Sequence, residues 1–375
     1  MHKFTQTGLA VQTLVLALLA GASALSHSGE YIVNAQEVKQ AIARGAQVWD
    51  VRDEKQAIAG RIPGALNAGN PSAKLRDADK EDFVSTERIE AYFSNLGIKP
   101  GNEVVVYGAR GAWVPYFSQY ALNHHGVKTV RVFHDGIEEW TAAGEIVETG
   151  SLSPSKASAF KSNIDPSLVI GTAELLTKRQ NVQLVDVRTP QEFSGEDVRA
   201  IRGGHIPGAI SIPYEQNWKD PAAPEKVAKG DAASAVGLAL KSREDLAKLY
   251  AGLDKSRETV VYCQSGARAS ETAGVLRDLG FKEVKVYDSS WIGYAVSNAP
   301  VAQETQLDVA RLEREMAVWR EENMALRAQL KLAEPRASAT SVDDTYRGNV
   351  LWGEHRGLKS ENSLLRKQAA AAKTS

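Results

Sequence analysis

The sequence predicts an α/β protein: two copies of one domain, each a mainly parallel sheet flanked by helices, followed by a C-terminal helical extension. Three observations carry this. Two blocks recur in the same order. Val48-Trp49-Asp50-Val51-Arg52 and Gly60-Arg61-Ile62-Pro63-Gly64-Ala65 are answered by Leu184-Val185-Asp186-Val187-Arg188 and Gly204-His205-Ile206-Pro207-Gly208-Ala209. Within each copy, short β-branched runs alternate with helical segments, the profile of strands buried on both faces of a parallel sheet. The 375 residues leave room for two such units and an extension, at about 100–200 residues per domain.

The N-terminus reads as a targeting segment. Lys3 precedes an apolar stretch densest from Leu14 to Ala20, and Ala22-Ser23-Ala24 offers a small-residue cleavage pattern. Gln12 and Thr13 interrupt the run, and it is short for a span of about 20 residues. Residues 1–24 are therefore expected to be a signal peptide. The mature chain is expected to be exported, periplasmic if the source is Gram-negative, with no stable membrane span.

The first domain is placed at 31–147. Asn34 and Glu37 form a capping box opening a helix to about Arg44, and Gly45 closes it. A buried strand follows at 47–51, Pro63-Gly64 marks a turn, and 104–107 is a central strand. The stretch 148–165, with its Ser and Pro residues, is the linker. The second domain, 166–302, repeats the plan. Thr172 is expected to cap a helix to about Arg179, strands follow at 182–187 and 259–262, and a helix is expected from about Ala269 to Leu279.

Composition excludes several classes. With 45 Lys+Arg against 46 Asp+Glu, the chain has no basic nucleic-acid footprint. One cysteine excludes an internal disulfide and a Cys-rich zinc module. The seven histidines are scattered, and His124-His125 beside Gly126 reads as a helix end. No metal site and no cofactor is called for.

That one cysteine falls where an open α/β sheet does its chemistry. Cys263 ends the strand 259–262 and opens the loop Cys263-Gln264-Ser265-Gly266-Ala267-Arg268. Ligands collect at the carboxyl ends of such strands. A loop entering a helix there points backbone N–H groups inward and favours a thiolate. Gly266 permits the tight backbone, and Arg268 adds positive charge for an anionic substrate. Cys263 is thus the candidate nucleophile, with Gln264, Ser265, Gly266, Ala267 and Arg268 as the substrate cradle. Asp186 and Arg188 read as a bracing ion pair at a strand end, and His205 as a side chain that bonds backbone. With Arg199, Arg202 and Trp291, Asp186 and Arg188 form a candidate outer ring around the loop.

On these residues the chain resembles the tandem-domain rhodanese sulfurtransferases, the thiosulfate and 3-mercaptopyruvate group. The resemblance covers about 31–302. It rests on the paired Asp-Val-Arg and Ile-Pro-Gly-Ala blocks and the loop 263–268. Asp135-Gly136-Ile137-Glu138-Glu139-Trp140 and Tyr287-Asp288-Ser289-Ser290-Trp291 add to it. It implies a catalytic second domain and a first domain without its nucleophile; Gly108 stands where Cys263 stands in the other copy. It also implies double displacement through a Cys263 persulfide, between a small anionic sulfur donor and a thiophilic acceptor. The loop matches neither the mercaptopyruvate pattern (Cys-Gly-Ser-Gly-Val-Thr) nor that of the animal thiosulfate enzymes. Its Ser-Gly-Ala-Arg resembles bacterial thiosulfate-type loops. Where those enzymes tend to carry an arginine, six residues after the second-domain Asp, this chain has Glu192, and Arg199 and Arg202 could replace the charge. Thiosulfate is favoured and 3-mercaptopyruvate stays open. Two rival readings stand beside it. Cysteine phosphatases place five residues between Cys and Arg, against the four of Gln264 to Ala267. A sulfur carrier or scaffold assembled by the tail is the other.

Residues 303–333 read as one long helix with Val309, Met316, Asn323 and Leu330 at position a and Leu312, Trp319, Leu326 and Ala333 at position d. Asn323 at a is a two-strand register device, and Glu315 with Arg320 and Glu322 with Arg327 would attract across a parallel pair. A homodimer through 303–333 is the expectation. Residues 334–375 read as a mobile tail in which Leu358, Asn362 and Leu365 mark one short helix.

Overall fold

A computed structural model describes residues 29–77, 82–99, 101–152, 154–332 and 347–372. Residues 1–24, expected to be a signal peptide, lie outside the described residues. No described helix is long and apolar enough to cross a membrane.

The first sheet has strands β1 (Gln47–Asp50), β2 (Leu66–Asn67), β3 (Glu103–Tyr107) and β4 (Thr129–Phe133), all parallel, in the order β2-β1-β3-β4. The second copy supplies β5 (Val169–Ile170), β6 (Gln183–Asp186), β7 (Arg202–His205), β8 (Ile210–Ser211), β9 (Thr259–Tyr262) and β10 (Val284–Tyr287). Five of these form a parallel sheet ordered β5-β10-β9-β6-β8. The remaining strand, β7, pairs antiparallel with β11 (Ala302–Gln306). Val104, Val105 and Val106 of β3 and Val260 and Val261 of β9 are fully buried. Helices on both faces explain why these runs carry no polar alternation.

The repeated Asp-Val-Arg blocks do the same structural work twice. Arg52 grips Asp50 and donates to the Gly60 carbonyl at 2.6 Å; Arg188 grips Asp186 and donates to the Gly204 carbonyl at 2.7 Å. Tyr107 Oη accepts from the Ile62 amide at 3.0 Å, and Tyr262 Oη from the Ile206 amide at 3.2 Å. Each set ties the end of a central strand to the Ile-Pro-Gly turn. His205 bonds backbone, its Nδ1 lying 2.9 Å from the Phe193 carbonyl.

The two domains share a buried seam. The helix Val114–His124 packs on the helix Ala267–Asp278 and is buried from Pro115 to Leu122. Gly274 makes the approach possible: a Cβ there would lie 2.9 Å from the Tyr116 ring. The buried Asp278 carboxylate accepts the Tyr31 amide at 3.0 Å, tying the start of the first domain to the second.

Several elements differ from the sequence reading. Gly171, not Thr172, is the N-cap, and the Thr172 hydroxyl instead meets Tyr287 Oη at 2.7 Å. The helix after the cysteine loop starts at Ala267 rather than Ala269. Residues 303–306 lie in strand β11, and the first tail helix runs Val309–Gln329 with Asp308 as its cap. Most of the described tail beyond it is a 26-residue helix, Arg347–Ala372, not a mobile segment.

The two tail helices pack on one another. Arg320 pairs with Glu354, Arg327 with Glu361 and Glu322 with Arg366. Asn362 Nδ2 donates to Asn323 Oδ1 at 3.0 Å. Glu315 meets His355 near the start of the seam and Asn323 meets Asn362 further along, so the helices run parallel. The seam read from the sequence is therefore filled from the same chain: Leu312, Met316 and Asn323 are buried on one side, Asn362, Leu365 and Ala369 on the other.

Candidate active site

Cys263 follows β9, the central strand of the second sheet. Its amide donates to Ser290 Oγ at 3.2 Å. Its carbonyl accepts the Trp291 amide at 3.0 Å, and the Gln264 carbonyl accepts the Ile292 amide at 3.1 Å. Those two amides open the helix Ser290–Ala295 and would otherwise lack partners. With its carbonyls so engaged, the loop turns through Gly266 at φ 80° and ψ −21° into the helix Ala267–Asp278. The amides of Gln264, Ser265, Gly266, Ala267 and Arg268 donate to no protein acceptor among the described residues. Consecutive free amides at a helix start are an anion cradle. A Cβ at Gly266 would lie 2.6 Å from the Asp288 carbonyl, so both the φ and the space require glycine.

The thiol is deeper than the sequence suggests. Cys263 is 1% exposed and belongs to an apolar cluster that includes Val187, Val261 and Ala269. The more accessible part of the loop is Ser265, Ala267 and Arg268, all half-buried.

Arg268 is not a free cation. Its Nη1 and Nη2 donate to Glu192 Oε2 and Oε1, both at 2.8 Å. Arg199 Nη1 adds a third bond to Glu192 Oε1 at 2.8 Å. Burial alone would raise the Glu192 carboxyl, but Arg268, then Arg199 and Arg188, pull it down to about 2. Burial opposes the Arg268 charge, and Glu192, Cys263 and Tyr214 more than restore it. Two guanidiniums share the Glu192 carboxylate beside the loop, and the Asp197 and Glu215 carboxylates lie close enough to act on them.

The other expected residues separate. Arg199 reaches the loop with its backbone as well: its carbonyl accepts Gln264 Nε2 at 2.7 Å. Arg202 does not; its guanidinium donates to the carbonyls of Ala295 at 2.8 Å and Ser297 at 2.6 Å. Asp186 and Arg188 brace the strand end, with Arg188 over the Trp291 ring at 4.4 Å. Trp291 is 1% exposed, and its indole donates to the Arg202 carbonyl.

Three contributors escaped the sequence reading. Arg76 of the first domain donates to Asp288 Oδ1 at 2.7 Å and to the Asp288 carbonyl at 3.0 Å, against Gly266. Nothing near Arg76 in the sequence signals this. Glu271, one turn past Arg268, is fully buried. Burial pushes its carboxyl up to about 8 although the Trp218 indole hydrogen-bonds it. Trp352 comes from the second tail helix and lies over Arg199.

The second domain is a parallel sheet whose cysteine loop leads into a helix, and it is paired with a copy that lacks the cysteine. The rhodanese-like domain model matches residues 34–143 and 172–296, and the chain belongs to that family. A thiosulfate sulfurtransferase of Corynebacterium glutamicum is 35% identical over 247 residues, covering 62% of this chain and 76% of the relative. The crystal structure of SseA from Escherichia coli, described as a 3-mercaptopyruvate sulfotransferase, superposes with a TM-score of 0.58 at 22% identity. That match covers 70% of this chain and 98% of the other. The anaerobic ergothioneine biosynthesis enzyme from Chlorobium limicola superposes with a TM-score of 0.62 at 20% identity, covering 72% and 70%. The protein is a sulfurtransferase.

Proposed function

We infer that the protein moves a sulfane sulfur from thiosulfate to a thiophilic acceptor through a persulfide on Cys263. The observation that carries this is the row of amides from Gln264 to Arg268, unpaired among the described residues and entering a helix through left-handed Gly266 directly after the thiol. The Cys263 thiolate attacks the outer sulfur of thiosulfate. The sulfur–sulfur bond breaks, its electron pair leaves with sulfite, and a Cys263 persulfide anion remains. The amides and the Arg268 guanidinium, held on Glu192, stabilise that anion. An acceptor such as cyanide or a thiolate then bonds the outer sulfur, and the electron pair returns to Cys263. Thiosulfate is favoured over 3-mercaptopyruvate because the Corynebacterium relative carries that name and because Arg199 supplies charge beside Glu192.

Intact mass after thiosulfate treatment tests the reading. Wild type is expected to gain one sulfur, Cys263→Ser none, and cyanide is expected to remove it. A wild type that gains nothing from thiosulfate or 3-mercaptopyruvate overturns it. Residues 1–24 are proposed as a cleaved export signal, and N-terminal sequencing of the exported chain checks this.

A further inference from the structure

The helical extension meets the catalytic loop's support at one point. The Trp352 ring lies over the Arg199 guanidinium, 4.3 Å from Cζ to the ring centroid. Arg356, one turn further on, faces the same ring at 4.9 Å. Arg199 lies in an irregular stretch between the helix Pro190–Ser194 and β7, so regular structure does not fix its side chain. Yet this one residue holds the loop from two directions. Its carbonyl fixes Gln264, next to the thiol, and its Nη1 fixes Glu192, which carries Arg268. Its Nε is buried and has no hydrogen-bond partner. The guanidinium is held by the Glu192 bond, by the charge of the nearby Asp197 carboxylate and by the indole face. A cation over an aromatic face is attracted to it, more strongly when both are partly desolvated, and Arg199 and Trp352 are both half-buried.

We propose that Trp352 is a positioning residue for sulfur transfer: by holding Arg199 on Glu192 it keeps Glu192 and, through it, the Arg268 guanidinium in place beside the loop, and so sets the affinity for an anionic donor. The proposal rests on the persulfide reading of Cys263. It gives the extension a role in the reaction. The lost element is an ordinary cation–aromatic contact, so the effect is moderate. It falls on donor binding, because Trp352 touches neither the thiol nor the loop amides.

The experiment compares full-length wild type, Trp352→Ala and Trp352→Phe in thiosulfate-to-cyanide transfer. Trp352→Ala is expected to raise the KM for thiosulfate about fivefold with kcat within about twofold. Trp352→Phe, which keeps a ring, is expected to stay near wild type. A second readout needs no turnover. The sole cysteine is alkylated by iodoacetate and by iodoacetamide, similar reagents that differ in charge. The iodoacetate-to-iodoacetamide rate ratio is expected to fall severalfold in Trp352→Ala and in Arg199→Gln. If wild type transfers no sulfur, the proposed function fails and the alkylation ratio still decides the role of Trp352. An unchanged ratio and KM in Trp352→Ala overturn the proposal. So does a loss of kcat and thermal stability that Trp352→Phe does not restore.

Discussion

Arg268 and Glu192 meet fork to fork, two parallel bonds of 2.8 Å between a guanidinium and a carboxylate that is 0% exposed. The pair joins the helix after the cysteine loop to the capped turn Thr189–Glu192 that follows the second Asp-Val-Arg block. Bidentate geometry fixes the Arg268 side chain in a way a lysine could not.

Glu192→Gln is expected to cost about 3 kcal/mol of stability, since Arg268 and Arg199 lose their shared anion while staying half-buried. The pH dependence follows from the depressed carboxyl. Its folded value near 2 lies below the ordinary value of 4.5, so its stabilisation is present above pH 4.5. That stabilisation is lost as pH falls toward 2. Thermal melts across this window are expected to fall steeply in wild type and less so in Glu192→Gln. Parallel curves would refute the assignment.

Glu271 acts with the opposite sign. Its folded carboxyl, raised to about 8 from 4.5, holds a proton that the unfolded chain releases. Its contribution to stability is therefore fully present below pH 4.5 and is lost as pH rises to 8, by an amount on the order of 5 kcal/mol. Glu271 Oε2 has no partner, while Oε1 accepts the Trp218 indole at 3.0 Å. Glu271→Gln keeps that acceptor and cannot ionise. Denaturant titrations are expected to show a shallower decline between pH 5 and 8 in the variant.

The core of this architecture was legible because it is local and repeated. The Asp-Val-Arg pairs, the Ile-Pro-Gly turns and the β-branched strands each carry their signal within a few residues, and the second copy checks the first. The cysteine loop is also a local signal, though the first copy, with Gly108 in place of the cysteine, does not repeat it. Arg76 and Asp288 were not read as partners, because they come from different domains and only packing joins them. The Arg268 charge was misread as free because Glu192 was counted as a missing arginine and not as a partner. The heptad positions of the first tail helix were placed correctly at Leu312, Met316 and Asn323, which are buried. Periodicity shows that a helix needs a partner but not whose helix it is, so the seam was assigned to a second copy.

That last point is testable. With Asn323 against Asn362 and three ion pairs within the chain, full-length protein is expected to sediment as a monomer. A chain ending at residue 346 loses the second tail helix and uncovers Met316 and Asn323. It is expected to dimerise in sedimentation equilibrium, using the same a and d positions. A full-length dimer would restore the seam to two copies.

The first domain carries no nucleophile, and its contribution runs through Arg76. Its guanidinium holds the Asp288 carboxylate and carbonyl, stacks near Phe117 at 5.5 Å, and lies 3.3 Å from where a Gly266 Cβ would be. Tyr120 Oη and the Phe83 amide bond the same carboxylate at 3.1 and 3.3 Å. Arg76→Met keeps the apolar stem over Phe117 and leaves Asp288 without its cation. Breaking a buried pair from one side is expected to cost about 3 kcal/mol. Because Asp288 packs against Gly266, transfer activity is expected to fall by more than global unfolding at assay temperature explains. Adding Asp288→Asn removes the stranded charge and is expected to restore part of the stability, a coupling that a double-mutant cycle measures. If the two substitutions add without coupling, and activity tracks the folded fraction alone, the first domain supports the fold and not the loop.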